Sequence, residues 1–227
     1  MRRVEVYIEG GGTTSSQRAG LRAGFSEFIG SQREEARQNG IEIRLICCGG
    51  RAETYRRFVD ALGQGEDCVC LLLVDSEAPV PIGTSPWRHL EQSPGDKWSQ
   101  PEGIGDEDCH LMVACMETWL LAGGDQLSRY YGRNFSSKSI PAAQGLEGQP
   151  KETIIRSFVA TTRKTIKGEY DKGCHSAALL TIVDPIQVRR NCRWCERFLH
   201  RLESLACLKL RLSCAASLRL RLLIIYY

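Results

Sequence analysis

The stretch Cys68-Val69-Cys70-Leu71-Leu72-Leu73-Val74-Asp75-Ser76-Glu77 decides the fold. An unbroken apolar run of this length reads as a β-strand buried on both faces, the pattern of a strand inside a parallel sheet. It ends abruptly in two carboxylates separated by a serine. A strand buried on both faces needs helices above and below it, so the flanking sequence is expected to alternate strand and helix.

Upstream it does. Residues 3–8 read as a first strand, with Val4, Val6 and Ile8 on one face and Arg3, Glu5 and Tyr7 on the other. Glu9-Gly10-Gly11-Gly12 then turns the chain, and Thr13-Thr14-Ser15-Ser16 offers N-caps for one helix. That helix turns Leu21, Phe25, Phe28 and Ile29 inward, keeps Arg33, Glu34, Glu35 and Arg37 solvated, and stops at Asn39-Gly40. Residues 41–47 form a second strand closed by Gly49-Gly50, and Tyr55, Phe58, Val59 and Leu62 mark one face of a second helix. Downstream lies a loop rich in Pro and Gly, residues 78–106, broken by a short helix near Trp87 and Leu90. A fourth apolar run, residues 109–116, leads to Glu117 and Trp119-Leu120-Leu121.

This order predicts an α/β fold over residues 1–123, a mostly parallel sheet flanked by helices. Residues 124–207 read as a helical region packed on that core, with patterns at Ile154/Ile155/Phe158/Val159 and Trp194/Phe198/Leu202/Leu205. The tail, residues 208–227, alternates leucine with basic residues at period two. An edge strand or a C-terminal extension fits that period better than an amphipathic membrane helix does.

Composition narrows the class. A hydrophobic share of 42% with 25% charged residues excludes wholesale disorder. The net charge of +3 is too mild to argue for nucleic acid by itself. The eleven cysteines are odd in number and several sit in apolar runs, so free thiols in a reducing cytoplasm are expected. Met1-Arg2-Arg3 leads straight into strand alternation, unlike a signal peptide, and no apolar run is long enough to span a membrane.

In open parallel sheets ligands bind beyond the carboxyl ends of the strands. Glu9 follows the first strand, Asp75 and Glu77 follow the third, and Glu117 lies beyond the fourth apolar run. Four carboxylates distant in sequence are thus expected on one sheet edge. Clustered carboxylates repel unless a cation neutralises them, and hard oxygen ligands suit Mg²⁺ or Mn²⁺. Gly10, Gly11 and Gly12 lack side chains, so a phosphate could approach that backbone closely. Metal-assisted phosphodiester cleavage is the expectation. The plainer alternative is that these acids only cap helices or solvate loops.

At these residues the chain resembles a known pattern. A strand ending in Glu-Gly, followed by a hydrophobic strand ending in Asp-x-acidic, resembles the TOPRIM core of topoisomerases, primases and OLD-type nucleases. Val6-Tyr7-Ile8-Glu9-Gly10-Gly11, Leu73-Val74-Asp75-Ser76-Glu77, Met112-Val113-Ala114-Cys115-Met116-Glu117-Thr118-Trp119 and Tyr130-Tyr131-Gly132 more closely resemble the bacterial domain of unknown function 4276 family, regarded as TOPRIM-like. The resemblance implies Glu9 as general acid/base, Asp75 and Glu77 as metal holders, and, for several such proteins, a partner ATPase in phage defence. The chain departs from TOPRIM in carrying Glu77 where Asp is usual and Ala78-Pro79-Val80-Pro81 where a glycine is usual. A non-catalytic interaction or sensor subunit of an ATPase complex is the rival expectation.

Arg51, after Gly49-Gly50, and Lys172 with His175 are further phosphate-contact candidates, and Lys151 a lesser one. Cys192-Arg193-Trp194-Cys195 is a lone CxxC with no second pair at zinc-site spacing. His110 reads as a core histidine with its hydrogen bonds met, His89 as a residue lining the site, and Trp98 as packing or a base-stacking platform. The glycine run has neither the Gly-Lys-Ser/Thr of a P-loop nor a dinucleotide fingerprint.

Overall fold

The computed structural model describes residues 2–63 and 67–207. Four strands form one parallel sheet: β1 (Arg2–Glu9), β2 (Ile41–Gly49), β3 (Cys68–Asp75) and β4 (Cys109–Met112), in the order β2-β1-β3-β4. The first strands are joined by α1 (Ser15–Phe28), α2 (Gly30–Gln38) and α3 (Arg51–Ala61). Then come α4 (Pro86–Gln92) before β4, and α5 (Met116–Ala122) and α6 (Gln126–Tyr131) after it. The chain finishes with α7 (Lys151–Thr162), α8 (Lys172–Leu180), α9 (Pro185–Asn191) and α10 (Arg193–Ala206). The α/β reading holds, and no strand follows β4 among the described residues. The alternating tail lies outside them.

Alternation along β1 and β3 divides the core. Val4, Val6, Ile8, Leu71 and Leu73 face one layer, shared with Phe25, Phe28, Trp119 and Phe198. Tyr7, Cys70, Leu72 and Val74 face the other, beneath Phe58 and Trp87. Each such aliphatic side chain contributes about 1.5–3 kcal/mol on full burial. The later helices close over the first layer: α8 packs on α1, and α10 packs on α2 and β4.

Glu5 and Tyr7, on the opposite face of β1 from Val4, Val6 and Ile8, are buried as well, because β1 lies inside the sheet and both its faces are covered. Their polarity is met locally, the Tyr7 hydroxyl donating to Glu5 at 2.7 Å. The single helix expected before Asn39 is two, broken at Ile29–Gly30. The apolar run at residues 109–116 is strand only to Met112, and its remainder turns into α5. The inward stripe of α3 is Thr54, Phe58 and Ala61, which leaves Val59 exposed.

Candidate functional site

Local sequence delivers the acids to the carboxyl edge of the sheet. β1 ends at Glu9, and Gly10, Gly11 and Gly12 follow with φ of 117°, 89° and 60°, left-handed backbone that glycine adopts without steric cost. Thr14 caps α1 in a capping box with Gln17. A β-carbon on Gly12 would lie 2.5 Å from Gln17 Oε1, so a larger residue there would push the Gln17 side chain off the cap. β3 ends at Asp75, and the next turn is clamped to the β4 exit by Ser76 N–H to Met112 O (3.0 Å) and Glu77 N–H to Ala114 O (2.9 Å). Glu77 itself has φ of 64°, a conformation that costs a non-glycine residue about 1–2 kcal/mol.

Carboxylate oxygens of Glu9, Asp75 and Glu77 lie within 4.8 Å of one another. The trio is graded in exposure: the side chain of Asp75 is 4% accessible, Glu9 15% and Glu77 42%, so it opens to solvent at Glu77. Asp75 is held by the Met116 amide, which donates to its Oδ1 at 2.8 Å from the first turn of α5. Glu9 Oε2 accepts the Asp75 amide at 3.1 Å. A cavity of about 330 Å³ adjoins the trio, lined by Glu9, the three glycines, Met116 and Lys172 among others.

Cations surround the acids. Arg51 Nη1 donates to Glu9 at 2.9 Å and also to the Asp75 carbonyl, while its other nitrogens grip Asp96. Lys151 Nζ lies 2.7 Å from both oxygens of Glu77. Lys172 Nζ lies 3.5 Å from Asp75 and 3.5 Å from Glu117. Counting Glu117 and Asp96 with the trio, five carboxylates meet three cations, a formal deficit of two positive charges.

Burial and charge together shift the protonation equilibria. Burial, reinforced by Glu9 and Glu117 and opposed by Lys172, pushes the Asp75 carboxyl up to about 7. Burial also raises Glu9, against the pull of Arg51. Burial disfavours the charged form of Lys172, yet Asp75 and Glu117 outweigh it and hold its ammonium above the usual lysine range.

The structure therefore brings Glu9, Asp75 and Glu77 together, with Gly10 and Gly11 on the adjoining cavity and Arg51, Lys151 and Lys172 in contact. Glu117 does not join the trio at ligand distance. It is wholly buried, accepts the Tyr170 hydroxyl at 2.8 Å, and its Oε2 has no hydrogen-bond partner. His175 is turned elsewhere: its Nδ1 accepts the Asp171 amide at 3.1 Å and faces the Tyr131 hydroxyl at 3.3 Å.

Other candidates find structural roles. His89 braces the acidic turn from behind, its Nε2 2.8 Å from the Ser76 carbonyl. Trp98 stacks on Tyr55 with centroids 4.4 Å apart and carries the Arg51 guanidinium at 4.8 Å, so it supports Arg51. His110 is buried as expected, but only its Nδ1 finds a partner, Arg197, and burial lowers its pKa. Cys192 and Cys195 are buried thiols raised by burial and belong to no metal-ligand group among the described residues. Asp96 and Tyr170, which fix Arg51 and Glu117, were not anticipated. No motif marks either residue.

The donor set fits a hard divalent cation: three carboxylates converge, and the cluster lacks two positive charges. Fold and site together define an α/β protein with an acidic trio at the carboxyl ends of β1 and β3. The chain belongs to the family described as Domain of unknown function (DUF4276), whose profile matches residues 8–203. No curated protein and no solved structure matches it. No helix among the described residues is long and apolar enough to cross a membrane.

Proposed function

We propose that this chain is a Mg²⁺- or Mn²⁺-dependent, TOPRIM-like enzyme that cleaves phosphodiester bonds in nucleic acid. The observation that carries the proposal is the approach of Glu9, Asp75 and Glu77 to within 4.8 Å at the strand ends. These three residues would hold the ion, which supplies Lewis-acid stabilisation of charge developing on phosphoryl oxygen. Glu9, whose carboxyl burial raises, would exchange a proton with the attacking or leaving oxygen. Lys172, with half its side chain exposed, and Lys151 would take phosphate oxygens. Gly10 and Gly11 leave the cavity wall free of side chains there.

A setting in phage defence beside a partner ATPase belongs to the proposal through the TOPRIM-like resemblance. The free thiols of the described cysteines support a reducing, cytoplasmic setting. The test is incubation of the purified chain, alone and with a partner ATPase, with labelled DNA and RNA in Mg²⁺ or Mn²⁺. Glu9→Gln and Asp75→Asn should each abolish metal-dependent cleavage while circular dichroism stays unchanged. No cleavage of either polymer under any of these conditions would end the proposal.

One observation favours a second reading. Every carboxylate of the trio already touches a cation: Glu9 meets Arg51, Glu77 meets Lys151 and Asp75 meets Lys172. In that reading the acids are a structural network and the chain is a non-catalytic interaction or sensor subunit. Absence of thermal stabilisation by Mg²⁺ or Mn²⁺ would select it.

A further inference from the structure

Away from the acidic site, a groove of about 510 Å³ runs along β2, the edge strand of the sheet. Five arginines line it: Arg18 and Arg22 from α1, Arg33 from α2, Arg44 from β2 and Arg57 from α3. Its one acid, Glu42, is taken by Arg44 at 2.8 Å. Arg18, Arg22, Arg33 and Arg57 make no ion pair among the described residues. Arg57 still feels Glu53 one turn away on α3, but the arginines of this surface outnumber its acids and repel one another, and a polyanion would offset that cost.

We propose that this arginine groove binds the sugar-phosphate backbone of a nucleic-acid strand and leads it to the acidic trio. Arg18 and Arg22 stand one helical turn apart, about 6 Å along α1. That is close to the span of two stacked nucleotides at about 3.4 Å each. Guanidinium groups pair with phosphate oxygens in a two-pronged geometry that lysine cannot match. The groove also ends close to the acidic site, its lining reaching Cys47 on β2 and Arg18 on α1. β2 ends at Gly49, which lines the cavity beside Glu9, and Gly49 exchanges backbone hydrogen bonds with Gly10 at 2.8 and 2.9 Å. Arg18 packs so closely on Gly11 that a β-carbon there would lie 2.9 Å from its Cα. A strand laid along β2 therefore arrives at the glycine turn that borders the acids.

This inference deepens the phosphodiester reading and rests on it for its purpose, but binding is measured with cleavage switched off. The probe is a fluorescent 15-nucleotide single-stranded DNA, titrated in EDTA at 50–200 mM salt and read by anisotropy. Four phosphate contacts on a single strand predict a log K against log salt slope of about −2.8, or roughly 50-fold weaker binding across that range. Arg22→Glu/Arg33→Glu/Arg57→Glu should reduce the slope to about −0.7 or abolish binding, while the lysine triple variant keeps most of it. Arg22→Glu alone, on an exposed helical face, should weaken binding if the triple variant fails to fold.

The proposal is overturned if the folded glutamate variant binds like wild type, or if wild type does not bind at 50 mM salt. It is overturned equally if polyglutamate of the same charge binds as tightly, which would mark an acidic protein partner. Binding lost in the variant without any cleavage by wild type sustains the groove and removes the nuclease. Cleavage unaffected by the variant does the reverse.

Discussion

Asp75→Asn should make the metal-free protein more stable than wild type, by a wider margin at pH 8 than at pH 5. In the folded chain Asp75 titrates near 7 instead of 3.8, because it is buried and faces Glu9 and Glu117. Between those two values the folded state holds a proton that the unfolded state has released. Stability therefore falls as pH rises through this window and levels off above about pH 7. The full displacement corresponds to roughly 4 kcal/mol, an upper bound because water entering on ionisation relaxes the site.

Asparagine resembles the protonated acid in shape, and its oxygen can still accept the Met116 amide that now reaches Oδ1 at 2.8 Å. The variant should thus exceed wild type by roughly 1–2 kcal/mol at pH 5 and by about 2–4 kcal/mol at pH 8, the latter roughly 4–16 °C in Tm for a chain of this size. Magnesium should narrow that gap. At a hundredfold excess over Kd it stabilises wild type by about 2.7 kcal/mol, and it should do nothing for the variant. The assay is thermal unfolding by circular dichroism at pH 5 and pH 8, in EDTA and in Mg²⁺. A wild-type Tm that climbs from pH 5 to pH 8 in EDTA would refute the reasoning, as would an Asp75→Asn variant less stable at pH 8.

Three further substitutions probe the supports of the site. Asp96→Ala removes the carboxylate that grips Arg51, leaving a half-buried guanidinium short of partners, and should cost about 2–4 kcal/mol in urea unfolding. Tyr170→Phe strips the only hydroxyl bound to Glu117, whose other oxygen already has no partner, and should cost about 1–3 kcal/mol by the same assay. Glu77→Gly relieves the φ of 64° but loses an exposed ion pair and adds unfolded-state entropy, so its stability should stay within about 1 kcal/mol of wild type. Its stabilisation by Mn²⁺ in a thermal shift should nevertheless weaken at least tenfold in metal concentration.

What could be read from the sequence follows from what is local. The apolar run before Asp75 and the alternation before Glu9 are nearest-neighbour patterns, and they placed both strands and their terminal acids. The parallel arrangement then brought Glu9 and Asp75 to one edge by geometry alone. Burial of Glu5 and Tyr7 escaped because it depends on β1 lying between β2 and β3, a property of strand order. Asp96 escaped because it reaches Arg51 across 45 residues from a loop without a motif. Lys172 was a candidate through its motif, but its contact with Asp75 depends on α8 docking against α1. Glu117 shows the converse: its position in sequence suited a fourth ligand, yet α5 carries it into the core beside Tyr170.

The proposed hold of Glu9, Asp75 and Glu77 on a divalent metal ion is open to direct observation. A crystal soaked in Mn²⁺ and measured for anomalous scattering tests it most directly. One anomalous peak should appear in contact with all three carboxylates, with Lys151 drawn away from Glu77. No peak at the trio, with Lys151 still on Glu77 and Arg51 still on Glu9, would contradict it.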